Sequence, residues 1–212
     1  EALERYHEGI IALSACLPGE VASYICEDNY EKAKSAALKM QEIFGEGNFF
    51  LEMQDHGISA QTKVNTALLK MSKETGIGLV ATNDIHYTFK EDAEAHDILL
   101  CIQTGKKVQD EDRMRYEGGQ YYLKSPEEMQ RLFPYAREAL ENTGKIAERC
   151  NVEIVFGEQK VPEYDVPEGY TAVEYLRHLC EEGIVRRYEE VTDELRGRLD
   201  YELKTIENMG YV

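Results

Sequence analysis

Short apolar runs alternate with longer amphipathic segments through the first half of the chain. The runs at residues 10–15, 48–54 and 79–82 have the length and the β-rich composition of buried strands. Between them, apolar residues recur at helical spacing over residues 30–44 and 60–75, and a glycine follows each of these two segments. This alternation predicts a parallel sheet with right-handed crossovers and outer helices. The C-terminal ends of such strands meet at one rim, where functional groups collect.

A further helix is predicted soon after the third strand. Thr88 and Glu91 are spaced as in a capping box, in which a side chain and a backbone amide at the helix start bond each other reciprocally. The helix is expected to bury an apolar face made of Ala93, Ile98, Leu99 and Ile102.

The second half of the chain is predicted to be mostly helical. Residues 106–120 are charged and lack a period, which predicts an extended loop, and short strands are predicted at residues 121–124 and 152–156. Two helices are predicted between these strands, at residues 125–133 and 135–150. The first of them begins with an N-cap serine, a proline and a glutamate, a clear helix start.

A domain boundary is predicted at residues 157–169, which hold two prolines and two glycines without an apolar period. We therefore expect a first domain at residues 1–156, a linker at 157–169 and a helical segment at 170–212. In that segment Thr171 and Glu174 form a second predicted capping box. The following helix has an apolar side made of Leu195, Leu199, Leu203 and Ile206.

The composition agrees with a folded domain and limits its environment. Of the 212 residues, 42% are hydrophobic, and no apolar run approaches the roughly 18 residues that a membrane span needs. The first residues carry no signal-peptide pattern, so we expect a cytoplasmic protein without membrane contact. The five cysteines are widely spaced and form no CxxC pair, which favours free thiols over a disulfide framework or a zinc knuckle.

The net charge of −17 argues against nucleic-acid binding by this chain alone. Lysine and arginine contacts to phosphates supply most of the affinity for DNA, and an acidic surface opposes them. A solvated acidic surface is the simplest explanation of the charge. The sequence also has no Walker-type glycine-rich loop and no G-x-S-x-G motif, so these familiar hydrolytic centres are not encoded here.

The candidate chemistry lies where the predicted strands end. Asp84 and His86 follow the third strand and share one face, because side chains two positions apart point the same way along an extended chain. A carboxylate and an imidazole together suit half of a zinc, manganese or iron site, although such a pair also caps helices. Cys16 follows the first strand, and its thiolate would complete a sulfur, oxygen and nitrogen set that suits zinc. The alternative is that Cys16 is an inert, buried thiol.

A second polar cluster follows the second strand. The cluster consists of Glu52, Gln54, Asp55 and His56. Together with Asn83, beside the candidate ligands, Glu52, Asp55 and His56 are expected to supply hydrogen bonds that hold a metal-bound imidazole. A purely structural hydrogen-bond network is the alternative. His96 is expected to be a helix residue near the rim without a further role.

Several stretches together resemble a known family. The segments EGIIALSACLPGE (8–20), FFLEMQDHG (49–57), LVATNDIHY (79–87), EDAEAHDILLCIQTGK (91–106) and YYLKSPEEM (121–129) resemble the later part of the PHP domain of bacterial DNA polymerase III alpha subunits. The C-terminal stretch YELKTIENMGYV resembles the entry into the palm region of that enzyme. The chain also begins without methionine, so we expect it to be part of a longer protein.

The resemblance implies an α/β fold: a partial, distorted β/α barrel with parallel strands and outer helices, followed by a helical segment. In family members that keep the site, the barrel rim binds up to three metal ions through nine ligands. The family's LSAC motif maps onto Cys16, and its N-D-x-H motif maps onto Asp84 and His86. The other six ligands are expected before Glu1, and the polymerase aspartates after the C-terminus.

The resemblance implies function only through the longer protein. There we expect DNA synthesis with Mg²⁺ at a site outside this chain, and zinc or manganese at the PHP site. The expected partners are DNA, the other polymerase III holoenzyme subunits and a proofreading exonuclease. This chain alone is expected to be inactive. Two alternatives are a stand-alone PHP-type metal-dependent phosphoesterase and a non-catalytic scaffold that docks other replication subunits.

Overall fold

The computed structural model describes residues 2–157 and 164–212, which fall into two compact units, Glu1–Val152 and Glu153–Val212. The first unit contains a sheet with surrounding helices, and the second contains two helices. Six residues of the predicted linker, 158–163, lie outside the described part of the chain. The linker itself stays a prediction.

The sheet has three parallel strands in the order β1-β2-β3, which confirms the predicted parallel α/β arrangement. These strands are β1 (Ala12–Leu13), β2 (Phe49–Met53) and β3 (Gly78–Ala81). β2 and β3 pair over four positions, from Phe50 with Gly78 to Met53 with Ala81. β1 is shorter than predicted because only its two residues pair with β2.

Helices connect and cover the strands of the first unit. They are α1 (Ala2–Arg5), α2 (Glu20–Cys26), α3 (Tyr30–Phe44), α4 (Ser59–Thr75), α5 (Ala93–Thr104), α6 (Pro126–Leu132) and α7 (Arg137–Arg149). The side chain of Asn29 accepts a hydrogen bond from the Lys32 amide and so caps α3. α4 ends at Gly76, whose φ of +76° is strained for any residue with a Cβ atom.

The core lies between the sheet and helices α2, α3, α4 and α7. The central strand β2 is buried on both faces, as expected for a parallel sheet covered by helices. Leu51 and Met53 have no exposed surface, and Leu68 and Met71 from α4 pack in the same cluster. Phe133, directly after α6, is also fully buried there. This packing holds the three strands in place, and the C-terminal ends of the strands form one edge of the sheet, the rim.

The buried face of α5 differs from the predicted one. Ile98, Leu99 and Ile102 are 45%, 61% and 73% exposed, whereas Leu100 and Cys101 are buried. All five positions are apolar, so the sequence period could not tell which side of the helix meets the protein. The prediction of the apolar face was wrong.

The start of α5 also differs from the prediction. The predicted capping pair, Thr88 with Glu91, does not form; instead the Phe89 amide donates to the Asp92 carboxylate at 2.9 Å. A 3-10 turn, Lys90–Asp92, then precedes the α-helix. The hydrogen bond at the helix start therefore lies one residue later than predicted.

The two short strands predicted in the second half do not form as strands in the described residues. Residues 121–124 contribute only an isolated parallel bridge between Tyr87 and Tyr122, because the cap of α6 begins directly afterwards at Ser125. Residues 152–156 are irregular, and Val152 and Phe156 are 84% and 89% exposed. The capping box of Ser125 with Glu128 is confirmed.

The second unit consists of α8 (Ala172–Arg187) and α9 (Asp193–Asn208). The predicted capping box of Thr171 and Glu174 is confirmed at the start of α8. Leu203 is the most buried residue of α9, in agreement with its predicted apolar side. Across the described ranges, we find no helix with the length and apolar character needed to cross a membrane.

Candidate metal centre

The three parallel strands deliver the predicted site residues to one rim. Cys16 follows β1, the Asp55-His56 pair follows β2, and Asp84 and His86 follow β3. Parallel strands point the same way, so these residues leave the sheet on the same side.

The backbone bends sharply next to two of the candidate ligands. Ala15, which precedes Cys16, has φ of +64°, and Asp84 has φ of +44°. Apart from glycine, only Asp28 shares a positive φ among the described residues. This conformation is unfavourable for residues with a Cβ atom and concentrates at functional sites, where surrounding contacts enforce it. The segments that follow β1 and β3 therefore have the unfavourable backbone conformation that is typical of functional sites.

Glu52 ties the ends of the three strands together. Its backbone amide donates to the hydroxyl of Ser14 at 2.8 Å, which joins β2 to the end of β1. Its carboxylate accepts from the hydroxyl of Thr82 at 2.5 Å, which joins β2 to the end of β3. The Gln54 amide donates to the same carboxylate oxygen at 3.1 Å. The strand ends are thus cross-linked beside the candidate ligands.

The other end of the Gln54 amide faces a small cavity next to Cys16. Its oxygen is buried and has no hydrogen-bond partner in the described structure. The cavity, about 10 Å³, is also lined by Cys16 and Glu52. A space of that size holds about one water molecule.

His56 is a buried link between β2 and the turn after β3. Its Nδ1 lies 2.8 Å from the amide nitrogen of Gln61, whose oxygen already accepts from the His56 backbone amide at 2.8 Å. Nδ1 must therefore accept, and the proton of the neutral ring sits on Nε2, which donates to the carbonyl of Asn83 at 2.8 Å. Burial lowers the pKa of His56 and so favours this neutral form.

The side chain of Asn83 holds the same turn from its other side. Its amide donates to the carbonyls of Gln120 at 3.1 Å and Tyr122 at 2.7 Å, and Lys124 donates to its oxygen at 3.1 Å. Asp55 lies farther out, where its carboxylate accepts from the Gly57 amide in a local turn. Asn83 and His56 together fix the backbone immediately before Asp84.

His86 has a defined tautomer. Its Nδ1 lies 2.7 Å from the backbone carbonyl of Asp84, an atom that can only accept, so the ring proton sits on Nδ1. The Nε2 atom then carries the free lone pair. The Asp84 carboxylate lies 4.0 Å from Nδ1. A histidine ligand to a metal usually shows this arrangement, with one nitrogen donating to a carbonyl and the other binding the ion.

Aromatic rings surround His86, and sequence reasoning missed them. The ring of Tyr116 lies 4.2 Å from the His86 ring, that of His96 lies 5.5 Å away and that of Tyr121 lies 5.6 Å away, all between centroids. Tyr121 also stacks on His56 at 4.0 Å. His96 was expected to have no further role. The loop that contains Tyr116 has no sequence period that could have placed it.

Burial and the Asp84 carboxylate raise the pKa values of three acidic groups at the rim. Burial, followed by the charge of Asp84, raises the pKa of the Cys16 thiol, and Glu52 adds to this effect. Burial and then Asp84 also raise the pKa values of Tyr116 and Tyr121. Both causes disfavour the ionised forms of these three groups.

The described residues fit part of a metal site. Cys16, Asp84 and His86 offer sulfur, oxygen and nitrogen donors, a set that suits zinc or a similar metal. However, no three His, Cys, Asp or Glu side chains in residues 2–157 and 164–212 are arranged to hold a metal ion by themselves. Any centre here needs further ligands.

Comparisons with known proteins found one matching family model and several similar proteins. Residues 1–56 match the family model described as the PHP domain. The chain is 45% identical over 211 residues to the DNA polymerase III subunit alpha of Borreliella burgdorferi, covering 99% of this chain and 18% of that protein. The identity is 41% over 213 residues for the Treponema pallidum subunit and 40% over 194 residues for the Thermus aquaticus subunit. These alignments cover 100% and 89% of this chain, and 18% and 16% of those two proteins.

The matched relatives are much longer than this chain, which spans less than a fifth of their length. The similarity nevertheless extends over both structural units, from the sheet to the two C-terminal helices. The chain is therefore similar to DNA polymerase III alpha subunits over a segment of their length, and its first 56 residues match the PHP domain model.

Proposed function

We propose that this chain is a segment of a DNA polymerase III alpha subunit in which Cys16, Asp84 and His86 are three ligands of the PHP metal centre. Residues 1–156 form the C-terminal part of the PHP-like barrel, 157–169 a linker and 170–212 the helical start of the palm region. The remaining ligands come from the longer protein. Zinc or manganese is the expected metal, because the donors include a thiolate and an imidazole.

One observation carries this proposal: the tautomer of His86. The bond from Nδ1–H to the Asp84 carbonyl, 2.7 Å long, leaves Nε2 as a free donor at the rim. Asp84, which supplies this carbonyl, has a left-handed backbone conformation with φ of +44°. His56 and Asn83 support that turn through hydrogen bonds to its backbone and to the neighbouring loop. A bound zinc or manganese ion would act as a Lewis acid and generate hydroxide from a bound water.

The polymerase activity belongs to the longer protein in this proposal. The names of the relatives support DNA synthesis there, at a Mg²⁺ site outside this chain. We propose that the protein works in the cytoplasm with DNA, the other holoenzyme subunits and a proofreading exonuclease. This chain alone is inactive and, with a net charge of −17, makes few contacts to phosphates. A stand-alone phosphoesterase is disfavoured because the similarity continues through α8 and α9.

A second candidate function is docking of another replication subunit without metal chemistry. Ile98, Leu99 and Ile102 form an exposed apolar surface on α5, and exposed apolar surfaces of this kind often mark protein interfaces. The two functions are compatible, because this surface and the rim use different residues.

The metal proposal is tested by measuring bound zinc and manganese in the full-length protein and in three variants, Cys16→Ser, Asp84→Asn and His86→Gln. We expect each variant to lose one ion or to bind it at least about tenfold more weakly. His178→Gln, in α8, is the matched histidine control and should keep the full metal content. Unchanged metal content and affinity in all three rim variants would refute the proposal, and so would tight stoichiometric metal in the 212-residue chain alone.

A further inference from the structure

One buried arginine holds the loop at residues 105–120 to helix α5. Arg113 Nη1 donates to Asp97 Oδ1 at 2.5 Å and its Nη2 donates to Asp97 Oδ2 at 2.6 Å. The Arg113 side chain is only 3% exposed. Its Nε also donates to the carbonyl of Val108 at 3.3 Å, and Nη1 reaches the carbonyl of Met114 at 3.5 Å. A bidentate ion pair of this kind fixes both the distance and the angle between the guanidinium and the carboxylate, so it joins the helix and the loop rigidly.

The loop held in this way carries Tyr116 to the rim. The Tyr116 ring lies 4.2 Å from the ring of His86 and 5.3 Å from that of His96. Asp97 directly follows His96 on α5, and Arg113 precedes Tyr116 by three residues. The ion pair therefore lies next to the ring contacts on both the helix and the loop.

We propose that Arg113 is a positioning residue: its pair with Asp97 sets the Tyr116 ring against His86 and restricts the rotation of that imidazole. The hydrogen bond from Nδ1 holds one edge of the ring, and Tyr116 covers one face. The inference rests on the proposed function only where it concerns metal binding. Groups that orient a metal-bound imidazole change metal affinity by about 10–100-fold.

Arg115 provides a matched control in the same loop. It is exposed, and its guanidinium donates to the carbonyl of Asp110 at 3.1 Å, within the loop. The charge of Arg115 also acts on Asp97, but no hydrogen bond or ion pair joins these two side chains in the part of the chain that the structure describes. Arg115→Met removes the same charge and the same number of atoms as Arg113→Met. A difference between the two variants therefore reports the contact with Asp97 and not the loss of one positive charge.

The first test measures how fast diethylpyrocarbonate modifies His86 in the full-length protein with EDTA present, by mass spectrometry of peptides. We expect Arg113→Met and Tyr116→Ala each to raise the rate several-fold, and Arg115→Met to leave it unchanged. Arg113→Lys keeps the charge but loses the bidentate contact with Asp97, and it should give an intermediate rate. His56, which is 4% exposed, reports folding in every sample, because its modification would signal unfolding of the unit.

The second test measures zinc affinity of the same variants, where we expect about a tenfold loss in Arg113→Met and none in Arg115→Met. If His86→Gln binds zinc as tightly as the unaltered protein, the proposed metal site fails, and the modification rates still decide the role of Arg113. Equal His86 modification rates in Arg113→Met and Arg115→Met, with His56 protected in both, would overturn the inference. If Arg113→Met unfolds, the comparison of Arg113→Lys with Arg115→Met decides it in the same way.

Discussion

Acidification should weaken the first unit through His56. The ring is 4% exposed and neutral, with Nδ1 accepting from Gln61 and Nε2–H donating to the Asn83 carbonyl. A second ring proton would sit on Nδ1 and point at the amide hydrogens of Gln61. The Gln61 amide cannot simply flip, because its oxygen accepts from the His56 backbone amide. Protonation therefore breaks at least one buried hydrogen bond.

The direction of the effect follows from the pKa of His56, which the fold lowers. Burial is the largest cause, and the charge of Lys124 acts in the same direction. The bond to the Asn83 carbonyl and the carboxylates of Asp84 and Asp55 oppose it in part. A lowered histidine pKa means that the unfolded chain takes up the proton first as the pH falls. Stability is then fully present above the unfolded pKa and declines below it.

The magnitude has an upper bound. An unfolded histidine has a pKa of about 6.5, so between pH 7.5 and 5.5 the unfolded state gains at most about 1.4 kcal/mol from this proton. The variant His56→Gln cannot take up the proton and should lack this decline. At pH 7.5 the same variant should be less stable by about 1–3 kcal/mol, because buried hydrogen-bond partners are left unpaired.

The assay is chemical denaturation of both proteins in EDTA at pH 7.5 and 5.5, with amide exchange in β2 reporting on the first unit. We expect the free energy of unfolding of the unaltered chain to fall by up to about 1.4 kcal/mol more than that of His56→Gln. The remaining histidines are common to both proteins, so their contributions cancel in the difference. Parallel pH dependence, or a steeper decline in His56→Gln, would refute the assigned neutral tautomer.

Three further changes test the packing and the local signals, each by chemical denaturation. Leu68→Ala should lower the free energy of unfolding by about 2–5 kcal/mol, because it opens a cavity in a fully buried cluster, whereas exposed Leu38→Ala should have a small effect. Ser125→Ala should cost about 1 kcal/mol by removing the cap of α6, and a loss below about 0.3 kcal/mol would contradict the capping box. Gly76→Ala should destabilise because φ is +76° there, while Gly144→Ala, inside helix α7, should not.

Local signals predicted two of the three capping boxes correctly, and the pair Thr88 with Glu91 was the exception. The capping boxes of Ser125 with Glu128 and of Thr171 with Glu174 formed as predicted, because every atom involved lies within four residues. The parallel order of the strands also followed from the alternation of short and long apolar segments.

Non-local choices could not be predicted in the same way. Residues 98–102 of α5 are almost all apolar, so the period allowed two buried faces, and packing selected Leu100 and Cys101. The run at residues 152–156 has a strand-like composition, yet a strand also needs a partner with free backbone groups. The structure describes these residues without one, and they stay exposed.

The candidate site depends both on local sequence signals and on non-local contacts. The Asp84 and His86 pair could be found from its spacing, because its two residues are neighbours along the chain. Its geometry could not, because the backbone before Asp84 is held by the bond that His56 donates to the Asn83 carbonyl and by the bond that the Asn83 amide donates to the Tyr122 carbonyl, partners that lie 27 and 39 residues from Asn83. The sequence therefore predicts which atoms can bind a metal, and distant contacts determine whether they are oriented to do so.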